Sequence, residues 1–261
     1  MTRARPVSPQ GRGAAAFERR TAVIDLWEID LARPISEADR ALLNAEETAK
    51  ADRIIIESKR RQSYRARAEL RRILGLYLDA DPRELCFVYG EHGKPALSTA
   101  PSDEPASLCF NLSHSGDVAL VGVILDRPDL QLGVDVEEAR PGREFASIAE
   151  SFFAPDEVAV FRRIPAHEQP AAFYRAWTRK EAYLKAIGTG LSFSSTAFSI
   201  SYGIGEEPQL LRTERAGDDA RRWRMIDLPC RSGYAAAACW DGEALPLRRF
   251  YAPHSEPDDA S

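Results

Sequence analysis

Side chains that bind soft metals or form disulfides are scarce in this sequence of 261 residues, which holds 4 cysteines, 4 histidines and 2 methionines. No two cysteines are spaced C-x-x-C, and the histidines at 92, 114, 167 and 254 are scattered, which argues against a zinc cluster. Such thiols fit reduced core residues of a cytoplasmic protein. Long apolar runs are missing as well. No stretch approaches the ~18 apolar residues of a membrane span, and the arginine-bearing N-terminus leads into no apolar signal segment. A net charge of −5 argues against a general nucleic-acid binder. The expectation is a soluble cytoplasmic protein without a membrane or nucleic-acid partner.

What is present is ordinary in amount, with 44% hydrophobic and 29% charged residues, and the chain suffices for one large domain or two small ones. Its charge is uneven. Arg53, Lys59, Arg60, Arg61, Arg65, Arg67, Arg71 and Arg72 face only Glu57 and Glu69 in the same stretch. A basic patch on an acidic protein suits a locally bound anion; a solvated helix face explains the run as well.

The sequence also resembles itself at an offset of 113, "PRELCFVYGEHGKPAL" (82–97) aligning without gaps on "STAFSISYGIGEEPQL" (195–210). The same offset sets "YRARAELRRILG" (64–75) on "WTRKEAYLKAIG" (177–188), and later "HSGDVALVGV" (114–123) resembles "RSGYAAAACW" (231–240). Periodicity predicts helices over 36–59, 61–79, 155–164 and 170–187. Strands are expected over 22–29, 84–90, 107–112, 117–125, 131–137, 197–203, 222–227 and 233–240. The reading is an α+β fold made by duplication, a pseudo-dimer of two lobes with a ligand cleft between them. Its lobes span 21–128 and 129–250, with disordered tails at 1–20 and 251–261. The copies differ instructively: Lys94 answers to Glu207, Ala68 to Glu181 and Arg72 to Lys185. Cations gather in the first lobe and carboxylates in the second.

In "LGVDVEEAR" (132–140) a strand would place Asp135 and Glu137 on one face and Val134 and Val136 on the other. Two carboxylates at i,i+2, joined by Glu181 from a helix, make a hard-cation set with room for water and phosphate, as Mg²⁺ prefers. Acidic residues guarding an exposed edge strand would give the same pattern. Glu181 and Lys185 share a helix face, as a surface ion pair would also do. "FNLSHSGDVALVGV" (110–123) reads as strand, turn and strand, with Ser113, His114, Ser115 and Gly116 in the turn. Such a turn can aim N–H groups and hydroxyls at a phosphate, or be an ordinary hairpin. "EHGKPAL" sets Lys94 between Gly93 and Pro95, in a rigid loop with one projecting ammonium.

In order, "GKP", "FNLSHSG", "GVDVE", "FFAPDE" and "WTRKEAYLKAIGTGL" resemble the 4′-phosphopantetheinyl transferases of the surfactin-synthetase-activating (Sfp) type, over about residues 22–240. The resemblance implies a two-lobed α+β fold with coenzyme A in the cleft. It implies Asp135, Glu137 and Glu181 as Mg²⁺ ligands and Lys185 on the pyrophosphate. It further implies Lys94, Ser113 and His114 at phosphates, with Lys50, Arg53, Arg60 and Arg61 as candidates near the 3′-phosphate. Lys180 and Trp177 belong to the motif, Trp177 as a packing residue if not a functional one. Glu157 matches an acidic position that helix stabilisation explains equally. The implied reaction moves phosphopantetheine from coenzyme A to a serine of an apo carrier protein and releases 3′,5′-adenosine bisphosphate. Asp135, Glu181 and Lys185 would be the catalytic residues, with Glu181 or a metal-bound water as the base. A monomer is expected, since duplication supplies both cleft walls. The alternatives are another Mg²⁺-dependent phosphoryl enzyme acting on coenzyme A, and a non-catalytic coenzyme A-binding module.

Overall fold

The strand Val118–Leu125 reads VALVGVIL and is buried on both faces, so it has to lie inside a sheet with a layer on each side. In the computed structural model, which describes residues 22–98 and 108–252, it is β5 of eleven described strands. The others are β1 (Ile24–Asp30), β2 (Phe87–Tyr89), β3 (Pro95–Leu97), β4 (Leu108–Ser115), β6 (Leu132–Glu138), β7 (Phe198–Ile200), β8 (Leu210–Thr213), β9 (Trp223–Asp227), β10 (Tyr234–Asp241) and β11 (Leu247–Tyr251). The α-helices are α1 (Glu37–Arg40), α2 (Ala45–Asp52), α3 (Glu57–Leu78), α4 (Phe145–Phe152), α5 (Pro155–Phe161) and α6 (Gln169–Ile187). One sheet has the order β11-β1-β5-β4, a second β6-β10-β9, and two hairpins, β2-β3 and β7-β8, stand apart.

Side-chain alternation builds the layers. Val118 and Leu120 of β5 meet Leu132, Val134 and Val136 of β6, with Ala236, Ala238 and Trp240 of β10, in a core between the two sheets. The intervening residues Ala119, Val121 and Val123 pack under Leu70, Ile73 and Leu74 of α3. On the far side Ala237 and Cys239 of β10 lie against Ala182 and Ala186 of α6. The order is therefore helix, sheet, sheet, helix, an α+β fold. No helix among the described residues is long and apolar enough to cross a membrane.

The helix expected over 36–59 is broken, and two capping boxes break it. Ser36 caps α1 with Asp39, and Asn44 caps α2 with Glu47. Those acids then anchor α3: Asp39 pairs with Arg65 and Arg72, and Glu47 with Arg67 and Arg71. The structure adds α4, β3, β8 and β11, which periodicity did not predict. β11 lies parallel to β1, held by Arg248 on Asp25 and Arg249 on Glu28. The last strand of the expected second lobe thus completes the sheet of the first. Strand structure extends through Tyr251, inside the expected C-terminal tail, and Ala252 is buried. The expected tail 1–20 and residues 253–261 lie outside the described residues.

Candidate active site

β6 turns Gly133, Asp135 and Glu137 away from the intersheet core and toward α6. At Gly133 the two backbones nearly touch: a Cβ there would stand 2.0 Å from the Ala182 carbonyl oxygen and 2.4 Å from the Ala186 nitrogen. That closeness brings Lys185 onto Asp135. The Lys185 Nζ donates to Asp135 Oδ1 at 2.6 Å and to Ser113 Oγ at 2.7 Å, while Ser113 donates to the same Asp135 oxygen at 2.8 Å. Ser115 donates to Glu137 Oε2 at 2.8 Å.

Ser113, His114 and Ser115 were expected in a turn, yet all three belong to β4, and the turn is Gly116–Asp117. The reason is the neighbour of β4. Asn111 Oδ1 accepts the Val134 N–H at 2.9 Å, Ser113 Oγ that of Val136 at 3.3 Å, and Ser115 Oγ that of Glu138 at 3.1 Å. Alternate side chains of β4 take the place of carbonyls and join the two sheets at a constant register. Ser113 is consequently buried, with its hydroxyl engaged by Asp135, Lys185 and the Val136 N–H. His114 points the other way. Its ring is held below the usual imidazole range by desolvation, although its edge stays in solvent, and then by the Lys185 and Lys59 cations.

Burial raises the pKa of Asp135, Glu137 and Glu181, and Asp135 raises its two neighbours further. Lys185 is the cation that acts on all three, so the cluster carries excess negative charge. Asp135 Oδ2 is buried without a hydrogen-bond partner. An all-oxygen donor set with an unpartnered oxygen suits a hard divalent cation. Among the described residues, however, no three His, Cys, Asp or Glu side chains converge into a metal cage as they stand. Lys185 holds the place beside Asp135.

The basic run of α3 divides by function. Arg65, Arg67, Arg71 and Arg72 are consumed by Asp39, Glu47 and Glu69. Arg53, Lys59, Arg60 and Arg61, around the first turn of α3, hold no ion pair among the described residues, and Lys50 lies over the Tyr89 ring at 5.3 Å. Lys59 belongs to the basic run but not to the residues expected near the 3′-phosphate. Gln62, one turn on, donates its amide N–H to Asp117 in the β4–β5 turn at 2.8 Å and aims that helix face at His114.

Residues 131–239 match a family described as the 4′-phosphopantetheinyl transferase superfamily, and residues 34–124 match the N-terminal part of a 4′-phosphopantetheinyl transferase. The 4′-phosphopantetheinyl transferase HetI of a Nostoc species is 39% identical over 171 residues, 65% of this chain and 70% of the relative. The chain belongs to the 4′-phosphopantetheinyl transferase superfamily. A phosphopantetheinyl transferase of a Thraustochytrium species is 29% identical over 244 residues, covering 86% of this chain and 83% of the relative. The 4′-phosphopantetheinyl transferase of Bacillus subtilis is 28% identical over 208 residues, 74% and 88% of the two chains. The first match covers the carboxylates with Lys185, and the second covers the unpaired cations.

Within this member of the superfamily, neighbouring motif residues have separate work. Lys180 points away from Glu181 and is buried, donating to Glu157 at 2.6 Å and to the Phe198 carbonyl at 3.0 Å. Glu157 also accepts the N–H groups of Ala154 and Ile200, so it ties α5 to α6 and β7. Trp177 stacks on Phe173 and meets Phe152 edge-on, a packing role. Lys94 departs from its expected role as a projecting ammonium. Its Nζ donates to the backbone carbonyls of Leu132 at 3.0 Å and Ala186 at 2.9 Å.

Proposed function

We propose that this chain is an active 4′-phosphopantetheinyl transferase of the surfactin-synthetase-activating type, moving phosphopantetheine from coenzyme A to a serine of an apo carrier protein. The observation that carries the reading is that the end of β4 joins the two halves: Ser113 and Ser115 donate to Asp135 and Glu137, while Gln62 of α3 donates to Asp117 in the turn that follows. His114 lies on that strand end, its pKa lowered by desolvation and then by Lys185 and Lys59. Unpaired cations suit the phosphates of coenzyme A, and a buried carboxylate cluster beside them suits phosphoryl transfer. The halves descend from a duplication. α3 is followed by the β2–β3 hairpin and α6 by β7–β8, in the order the sequence repeat demands. One chain therefore supplies both walls of the cleft, as a monomer.

Asp135, Glu137 and Glu181 would hold Mg²⁺, which when bound supplies electrostatic stabilisation of charge developing on the pyrophosphate. Lys185 turns its ammonium from Asp135 to the leaving phosphate, and Lys59, Arg53, Arg60, Arg61 and His114 orient the nucleotide end. Glu181 takes the proton of the attacking serine, a role suited to a carboxylate whose pKa burial has raised. The new bond joins the serine oxygen to the β-phosphorus, and the bond to 3′,5′-adenosine bisphosphate breaks.

The test is incubation with coenzyme A, Mg²⁺ and a panel of apo carrier proteins, followed by weighing each carrier. The expected result is a carrier heavier by one phosphopantetheine, with a KM for coenzyme A that climbs as salt screens the α3 cations. Free phosphopantetheine released without any carrier would contradict the transferase reading.

A further inference from the structure

We infer that Lys94 is a positioning residue of the transfer reaction, holding β6 and α6 in the register that sets Lys185 on Asp135. The inference rests on the transferase reading given above. Lys94 sits in the β2–β3 turn, where its carbonyl accepts the Gly90 N–H at 3.0 Å and Pro95 follows it into β3. From there its side chain runs between two elements of the other half. One Nζ hydrogen bond goes to Ala186, the residue after Lys185, and the other to Leu132, the residue before Gly133. The last carbonyls of a helix have no partner within it, and a cation there also suits the helix dipole. The two anchors flank the place where the α6 and β6 backbones nearly touch. A shift of either would move Lys185 or Asp135.

The surroundings leave the Lys94 ammonium no other task. It is half-buried, and desolvation pulls its pKa down to about 8. Gly188 ends α6 in the left-handed region at φ 70° beside the Lys94 stem, and a Cβ added there would stand 3.3 Å from Lys94 Cδ. A phosphate contact would require the side chain to abandon both carbonyls. A positioning group acts on the reacting geometry and leaves ligand affinity largely alone, because misplacement of about 1 Å can cost roughly a hundredfold in rate.

The experiment compares Lys94→Met and Lys94→Arg with the wild type in the carrier-charging assay, at varied coenzyme A and salt, with rates expressed per folded molecule. Lys94→Met is expected to lower kcat about tenfold to a hundredfold, with KM for coenzyme A within about twofold and its salt dependence intact. Lys94→Arg should behave alike, because a rigid planar fork does not reproduce the two bonds of a single ammonium, and it carries the test if the methionine variant does not fold. A raised KM at unchanged kcat, reversed by arginine, would overturn the inference in favour of a phosphate contact. Unchanged kcat and KM with earlier melting would overturn it in favour of a purely structural role. A wild-type protein that charges no carrier would refute the transferase reading itself, whatever Lys94 does.

Discussion

Gly133→Ala is expected to cost this protein its transfer activity and a large part of its stability. A methyl group at 133 would lie 2.0 Å from the Ala182 oxygen and 2.4 Å from the Ala186 nitrogen, which are helix backbone atoms and cannot rotate aside. Relief requires α6 to move away from β6. Overpacking of this kind costs roughly 1–3 kcal/mol or more, and the movement draws Lys185 and Glu181 off Asp135. A loss of about a hundredfold in kcat follows from displacement of about 1 Å. Thermal melting and steady-state transfer check both parts, and an alanine variant with wild-type kcat and melting temperature would refute the close approach.

Glu181→Gln should separate stability from catalysis in the opposite sense. Among the described residues no hydrogen bond reaches the Glu181 carboxylate, and burial followed by Asp135 raises its pKa above the ordinary 4.5. Its folded form thus binds a proton more tightly than its unfolded form. The contribution to stability is fully present below pH 4.5 and is lost as pH rises through the elevated value. Glutamine carries no charge to lose. In metal-free protein the variant should therefore melt higher than the wild type at neutral pH, with the gap closing toward pH 4.5. Transfer should fall about 10²–10⁴-fold as a proton acceptor is removed. Melting curves that keep the same separation at every pH, or a variant that retains activity, would contradict the assignment.

The parts of the site that follow a local period were legible in the sequence. Asp135 and Glu137 share a strand face because β6 alternates, and Glu181 and Lys185 share a helix face because α6 turns every 3.6 residues. The α+β class came from the same periodicities. What escaped depended on distant partners. Ser113 read as a turn residue because N-x-S-x-S looks like loop composition. Its meaning depends on the backbone of a strand 23 residues away. Lys94 read as projecting because its acceptors lie 38 and 92 residues further on. The arginines of α3 read as one patch until Asp39 and Glu47 claimed Arg65, Arg67, Arg71 and Arg72. Those acids were themselves detectable: Ser36 with Asp39 and Asn44 with Glu47 are capping-box spacings, and they also mark where the expected first helix stops.

In the proposed reaction the α3 cations of one half and the carboxylates of the other serve a single ligand in a single cleft. Calorimetric titration of coenzyme A into the protein, at a concentration where sedimentation gives the mass of one chain, measures this directly. One coenzyme A per chain is the expected result. Half a coenzyme A per chain, or binding that disappears on dilution as a dimer dissociates, would contradict it.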